Sequence, residues 1–253
     1  MKVLIATDIH HGYSAEGDRA WEAKLQALWQ EHEYDIEHVI LGGDNGSNDP
    51  QHEVDCLRNV QGIFGDAEIH WVPGNHSYWS RRHDDAQATL NFIRKSTEKT
   101  GIHYLADEPL VLTEAKTLIT GFGGWYSESP PQTNDPNWIG DFANSEVFLR
   151  DHAREGFTNA TRLCREKKAE GWTTYVVTHF PFFESVKKLD WKGRRHGGYF
   201  GGPLEWESEL HGVDTVVFGH THWAFHGLAQ NGTTRIVNPG SDYEKPSVLL
   251  LEF

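Results

Sequence analysis

The chain has 253 residues, 38% of them hydrophobic, 24% charged and 12% aromatic, a globular mixture that excludes a fibrous or disordered chain. A formal charge of −14, from 37 acidic against 23 basic residues, disfavours nucleic acid as a partner. Two cysteines, Cys56 and Cys164, are too few for a disulfide framework, and no run approaches the roughly 18 apolar residues of a membrane span.

The chain enters a strand-like run at residues 2–7 with no leader-like apolar region, so one soluble, cytoplasmic domain over 1–253 is expected. Residues 38–42 and 69–72 read as further buried strands. Between the first two, residues 17–32 place Ala20, Leu25, Leu28 and Trp29 on one helical stripe. Residues 81–99 and 145–168 are the next helices, the second entering through Asn144 or Ser145 and ending before Gly171. Strand-like runs then crowd together at 174–178, 215–219, 224–229, 233–237 and 247–253, with a hairpin turn at Gln230-Asn231-Gly232. They imply a second, largely antiparallel sheet. Residues 122–142 and 190–203 are left as irregular, aromatic and glycine-rich loops.

Five short clusters fall where an expected strand ends. Asp8-Ile9-His10 puts two ligand-type side chains at i and i+2, on one side of an extended chain. Gly42-Gly43-Asp44-Asn45 lets the backbone turn and project a carboxylate able to bridge two cations. Pro73-Gly74-Asn75-His76 offers an amide oxygen and an imidazole. Thr178-His179 and Gly219-His220-Thr221-His222 follow the last two of these strands. Open α/β sheets place their sites at such C-terminal ends, and 16 histidines give the chain the means to hold metal there.

In order and spacing the five clusters resemble the calcineurin-like metallophosphoesterase superfamily, whose pattern is Asp-x-His, Gly-Asp, Gly-Asn-His, His and Gly-His-x-His. Asn238-Pro239-Gly240-Ser241 is similar to a turn of its small phosphodiesterase-type members. The resemblance implies a four-layer αββα sandwich, two central mixed sheets flanked by helices, and hydrolysis of phosphoric mono- or diesters at a dinuclear metal centre. It further implies that Asp8, His10 and His222 hold one divalent ion, Asn75, His179 and His220 the other, and that Asp44 bridges them. Manganese is the first candidate, with iron, zinc, cobalt and nickel also suited to such ligands. A metal-bridging hydroxide is the implied nucleophile, and His76 the residue that stabilises the transition state and protonates the leaving oxygen.

Protein Ser/Thr phosphatases of the superfamily read Gly-Asp-x-x-Asp-Arg-Gly and Gly-Asn-His-Glu. This chain has Ser47 and Ser77 at the acidic positions of those blocks, so a small phosphate ester is the expected partner, diesters being preferred. Asp49 is a candidate for the missing carboxylate near His76. Arg194 and Arg195, in a basic loop between the fourth and fifth clusters, and His11 are candidate substrate contacts. Trp125, Tyr126 and Trp138 read as packing residues. Rival readings are a nuclease of the same superfamily and a catalytically silent metal-binding scaffold.

Overall fold

The computed structural model describes residues 1–32, 35–80, 82–127, 134–187 and 201–253. Strand β1 (Lys2–Ala6) is buried along nearly all its length, as the run Val3-Leu4-Ile5-Ala6 requires of a strand covered on both faces. Helix α1 (Ala15–Glu31) is capped by Ser14, whose hydroxyl accepts from the Gly17 N–H at 3.0 Å. Its inward stripe is Gly17, Trp21, Leu25 and Leu28; Ala20 and Trp29 flank it, half-buried. Strand β2 (Ile36–Gly42), helix α2 (Pro50–Phe64) and strand β3 (Glu68–Val72) follow.

Helix α2 escaped the sequence reading although Asp49-Pro50 marks its start. Asp49 accepts from the Gln51 N–H at 2.9 Å, Pro50 suits the first turn, and Val54, Leu57, Val60 and Phe64 face inward. Helix α3 (Ala86–Thr97) is shorter than expected because Asp85 caps it through the Ala88 N–H at 2.7 Å. Strands β4 (Ile102–Tyr104), β5 (Leu110–Leu112) and β6 (Thr117–Phe122) come next, then the helical turn α4 (Asp135–Trp138). Helix α5 (Phe142–Ala169) starts ahead of the expected Ser145, whose hydroxyl instead donates to Gly140 O and accepts from Ala86 N, tying α5 to α3. Strand β7 (Thr173–Thr178), the helical turn α6 (Glu184–Lys187) and strands β8 (Thr215–Phe218), β9 (Phe225–Leu228), β10 (Arg235–Asn238) and β11 (Val248–Glu252) complete the order.

Two mixed sheets result, β11-β1-β2-β3-β4 and β5-β6-β7-β8-β10-β9. The second is not largely antiparallel: β6, β7, β8 and β10 pair in parallel, and only the edge strands β5 and β9 run antiparallel. Strand β6 was missed, and α5 makes the crossover that sets it parallel to β7. The final strand joins the first sheet, antiparallel to β1. The hairpin at Gln230-Asn231-Gly232 joins β9 to β10, with Asn231 Oδ1 accepting from Thr233 and Thr234 N–H. Val3, Ile5, Ile40, Val72, Ile119, Val177 and Val217 fill the seam between the sheets. With α2 and α3 against the first sheet and α5 against β6 and β7, the architecture is the expected αββα sandwich. No helix among the described residues is long and apolar enough to cross a membrane.

Candidate metal centre

Two carboxylates tie the five strand-end loops together. Asp44 Oδ1 accepts from the His76 N–H at 2.8 Å, and Asp8 Oδ1 from the His220 N–H at 2.9 Å. Backbone bonds close the rest: Asp8 N to Gly43 O at 3.0 Å, His10 N to Asp44 O at 2.8 Å and Gly219 N to His179 O at 3.1 Å. The loops are held in a strained form. Nine described non-glycine residues have positive φ, and five of them are Asp8, His10, Asp44, His220 and His222, with φ from 49° to 66°. Such conformers cost about 1–3 kcal/mol each and persist where the surroundings over-determine them, which marks this as a functional region. Gly43 permits the approach, because a Cβ there would lie 2.6 Å from the His179 side chain, and one on Gly74 would strike Asp44.

The side chains converge on Asp44 Oδ2. His179 Nε2 lies 3.2 Å from it, His76 Nε2 3.9 Å and His10 Nε2 4.0 Å. His222 Nε2 is 3.4 Å from His10 Nε2 and 3.7 Å from Asp8 Oδ1. Asp8, His10 and His222 form one group able to hold a cation, Asp44, His179 and His220 another, and His10, Asp44 and His76 a third. The outer nitrogens of three rings are engaged: His10 Nδ1 with Ser47 Oγ at 3.2 Å, His179 Nδ1 with Gly42 O at 3.3 Å, and His222 Nδ1 with Asp242 Oδ1 at 3.3 Å. Each bond turns an Nε2 lone pair inward, the arrangement metal-binding histidines adopt. Asn75 is oriented likewise, its amide donating to Asp135 Oδ1 at 3.2 Å. Asn75 Oδ1 and Asp8 Oδ2 are left buried without a hydrogen-bond partner, and His179 Nε2 faces the Asp44 carboxylate. Orphaned buried acceptors beside clustered imidazoles and carboxylates fit divalent cations.

Electrostatics agree. Burial would raise the Asp44 carboxyl, but the surrounding histidines, His179 first, hold it well below the usual carboxylate range. Burial would lower His179, yet the Asp44 charge raises it to about 9. Burial lowers His10, His76 and His220. A cation between Asp44 and His179 would replace the proton that the pair otherwise shares.

His76 stands at the rim. Its ring stacks on Trp79 at 3.7 Å, Trp79 stacks on Trp138 at 5.7 Å, and His10 meets its edge at 4.7 Å. Asp49 does not supply the missing carboxylate, being engaged in capping α2 and facing Arg82 at 3.3 Å. His11 is not brought into the group; it pairs with Asp18 at 3.2 Å and lines a cavity between α1 and α2. Arg194 and Arg195 lie outside the described residues. Trp125 and Tyr126 are buried, as packing residues should be.

Several residues escaped the sequence reading. Buried Asp135 accepts from Asn75, from Trp79 Nε1 at 2.7 Å and from the Tyr126 hydroxyl at 3.0 Å. Tyr243 stacks on His10 at 4.4 Å. Buried Glu53 accepts from Asn45 Nδ2 at 2.6 Å and Gly46 N at 2.8 Å, bracing the Asp44 loop. Asn238, in the turn that the sequence did single out, donates to Gly219 O at 3.1 Å and Thr221 Oγ1 at 2.9 Å, propping the last ligand loop.

A family model described as calcineurin-like phosphoesterase matches residues 1–224. Among solved structures the chain is similar to a phosphopantetheinyl hydrolase from Mycobacterium tuberculosis, with TM-score 0.66 and 14% identity over 98% of this chain and 95% of that one. It is also similar to a dimetal phosphatase from Danio rerio, with TM-score 0.60 and 11% identity over 99% and 91% of the two chains. At these identities the likeness is one of fold. No curated protein matches the chain in sequence.

Proposed function

The chain belongs to the calcineurin-like phosphoesterase family, and from that membership we propose that it is a metal-dependent hydrolase of small or medium-sized phosphoric esters, acting as one catalytic unit. The observation that carries the proposal is the gathering of the His10, His76 and His179 Nε2 atoms within 4.0 Å of Asp44 Oδ2, in loops where Asn75 Oδ1 and Asp8 Oδ2 are buried without a hydrogen-bond partner. Asp8, His10 and His222 would hold one ion, Asn75, His179 and His220 the other, with Asp44 between them. Mixed oxygen and imidazole donors suit first-row divalent ions, manganese first and iron, zinc, cobalt or nickel as alternatives. When bound, such a pair supplies Lewis acidity toward a phosphoryl oxygen and lowers the pKa of a water.

The chain's own residues do the rest. Asp8 and Asp44 would offset two of the four charges of a bound pair, leaving about +2 to attract an anionic phosphoryl group in an otherwise acidic protein. His76 is fixed by the Trp79 stack and by its backbone bond to Asp44. From there Nε2–H can stabilise charge on the phosphoryl group and pass its proton to the leaving oxygen. Arg194 and Arg195 are proposed to meet substrate phosphate, since they fall between the His179 and His220 loops in the chain. Diesters are the preferred substrates, because the acidic positions of the protein phosphatase blocks hold Ser47 and Ser77. Hydrolysis of a panel of phosphomonoesters and phosphodiesters, before chelation, after it and after readdition of Mn²⁺, tests the proposal. Metal-restored turnover of diesters ahead of monoesters is expected; turnover indifferent to chelation would refute it.

A further inference from the structure

A fourth group of metal-capable side chains lies away from the catalytic loops: His38, Glu68 and His70. Glu68 opens β3, whereas Asn75 and His76 follow its end, so the length of that strand, about 13 Å at ~3.3 Å per residue, separates the two places. Register brings the three together. His38 of β2 pairs with Glu68 of β3, and Ile40 with His70. His38 shares the face of Ile40, and Glu68 and His70 that of Val72. Ile40 and Val72 belong to the seam between the sheets, so the cluster faces into that seam at the N-terminal end of the parallel strands. A cavity of about 400 Å³, lined also by Leu110 and Leu112, opens there.

The geometry is that of ligands. His38 Nδ1 lies 3.4 Å from Glu68 Oε2 and 3.4 Å from His70 Nε2, and His70 Nε2 lies 3.8 Å from the same Glu68 oxygen. Tetrahedral ligands on bonds of about 2.1 Å are separated by about 3.4 Å, so these three atoms stand near three corners of a zinc-sized tetrahedron. Hydrogen bonding alone satisfies them poorly. His38 Nδ1 and His70 Nε2 crowd one Glu68 oxygen and each other. His70 is also 4% exposed with a buried Nδ1 that has no partner in either tautomer. Desolvation lowers His38 and takes His70 to about 3, so both rings stay in the neutral form that binds metal. His103 stacks on His70 at 5.3 Å and is itself held by Glu108 at 2.5 Å, bracing the ring from behind.

We propose that His38, Glu68 and His70 form an additional site for one divalent transition metal, zinc by ligand type, with the fourth corner open to solvent. Two imidazoles and a carboxylate are a donor set that zinc accepts with one position left free. An ion there would clamp β2 to β3, the strands that deliver Asp44, Asn75 and His76.

The test is equilibrium dialysis of the full chain against Zn²⁺, with metal content and dissociation constants measured for wild type, Glu68→Gln and His38→Gln/Glu68→Gln. Glu68 is exposed and its Gln replacement keeps the shape, so the single variant remains folded if the double one does not. Wild type should bind one more ion per chain than the double variant, and Glu68→Gln alone should weaken that ion by at least about tenfold. Asp44→Asn, which disturbs only the catalytic centre, should keep the additional ion at unchanged affinity. Equal zinc content and affinity in wild type and Glu68→Gln, or loss of this ion in Asp44→Asn, would overturn the proposal.

Discussion

Asn75 donates its amide to Asp135 at 3.2 Å, and because only the NH₂ end of Asn75 can face a carboxylate, its carbonyl oxygen is turned away from Asp135 and left buried without a hydrogen-bond partner. Asp135 thus acts as a positioning residue on a proposed ligand. Asp135→Ala removes one acceptor from three buried donors, each costing about 1–3 kcal/mol if left unsatisfied, and frees Asn75 to turn. Metal affinity is expected to fall about 10- to 100-fold, with Asp135→Asn intermediate. Titration against a chromophoric chelator measures it; unchanged affinity in Asp135→Ala would remove the positioning role.

His76→Asn should retain both catalytic ions and lower kcat, by about 10²- to 10⁴-fold on alkyl esters and by less on p-nitrophenyl esters, whose leaving oxygen needs little protonation. The distinction is informative because His76 Nε2 lies only 3.9 Å from Asp44 Oδ2, within reach of the same cations. Loss of an ion in the variant would make His76 a ligand. Equal slowing of both ester types would make it a stabiliser of charge without proton donation.

Glu53 gives the metal-free chain a pH signature. Burial raises its carboxyl from 4.5 to about 7, against the opposing hydrogen bonds from Asn45 and Gly46. A raised acid binds more proton in the folded state, so its contribution is fully present below about pH 4.5 and is lost as pH rises through about 7. Glu53→Gln cannot ionise, though it can accept at only one of its two terminal atoms. In chelator-treated protein the melting temperature of the variant relative to wild type should therefore rise from pH 5 to pH 8. A difference that stays constant across that range contradicts the assignment.

The five ligand clusters were legible in the sequence because each combines an apolar strand, a turn and a side chain with a lone pair, a local pattern. What supports them is not local. Asp135 reaches Asn75 across 60 positions, and Tyr243 stacks on His10 only because β11 returns beside β1. Strand β6 was missed because its Thr117-Leu118-Ile119-Thr120-Gly121-Phe122 run mixes Thr and Gly into a fully buried strand. Gly121 has its own reason, since a Cβ there would lie 2.5 Å from the Val177 carbonyl oxygen. The positive φ values of Asp8, His10, Asp44, His220 and His222 carry only a weak sequence signal, because none of these residues is glycine and Asp and His merely tolerate that region better than most.

The central claim, a pair of cations organised by one shared carboxylate, is tested most directly by Asp44→Asn. Metal content and hydrolysis of bis(p-nitrophenyl) phosphate should be measured on the same sample, in a His38→Gln/Glu68→Gln background so that the seam contributes no ion. Asp44 lies within reach of His10, His76 and His179 through one oxygen and fixes the His76 backbone through the other. The variant should lose at least one ion and at least about 10²-fold in turnover, the scale of removing one electrostatic stabiliser from an active site. Two ions held at full occupancy with near-normal turnover would contradict the account.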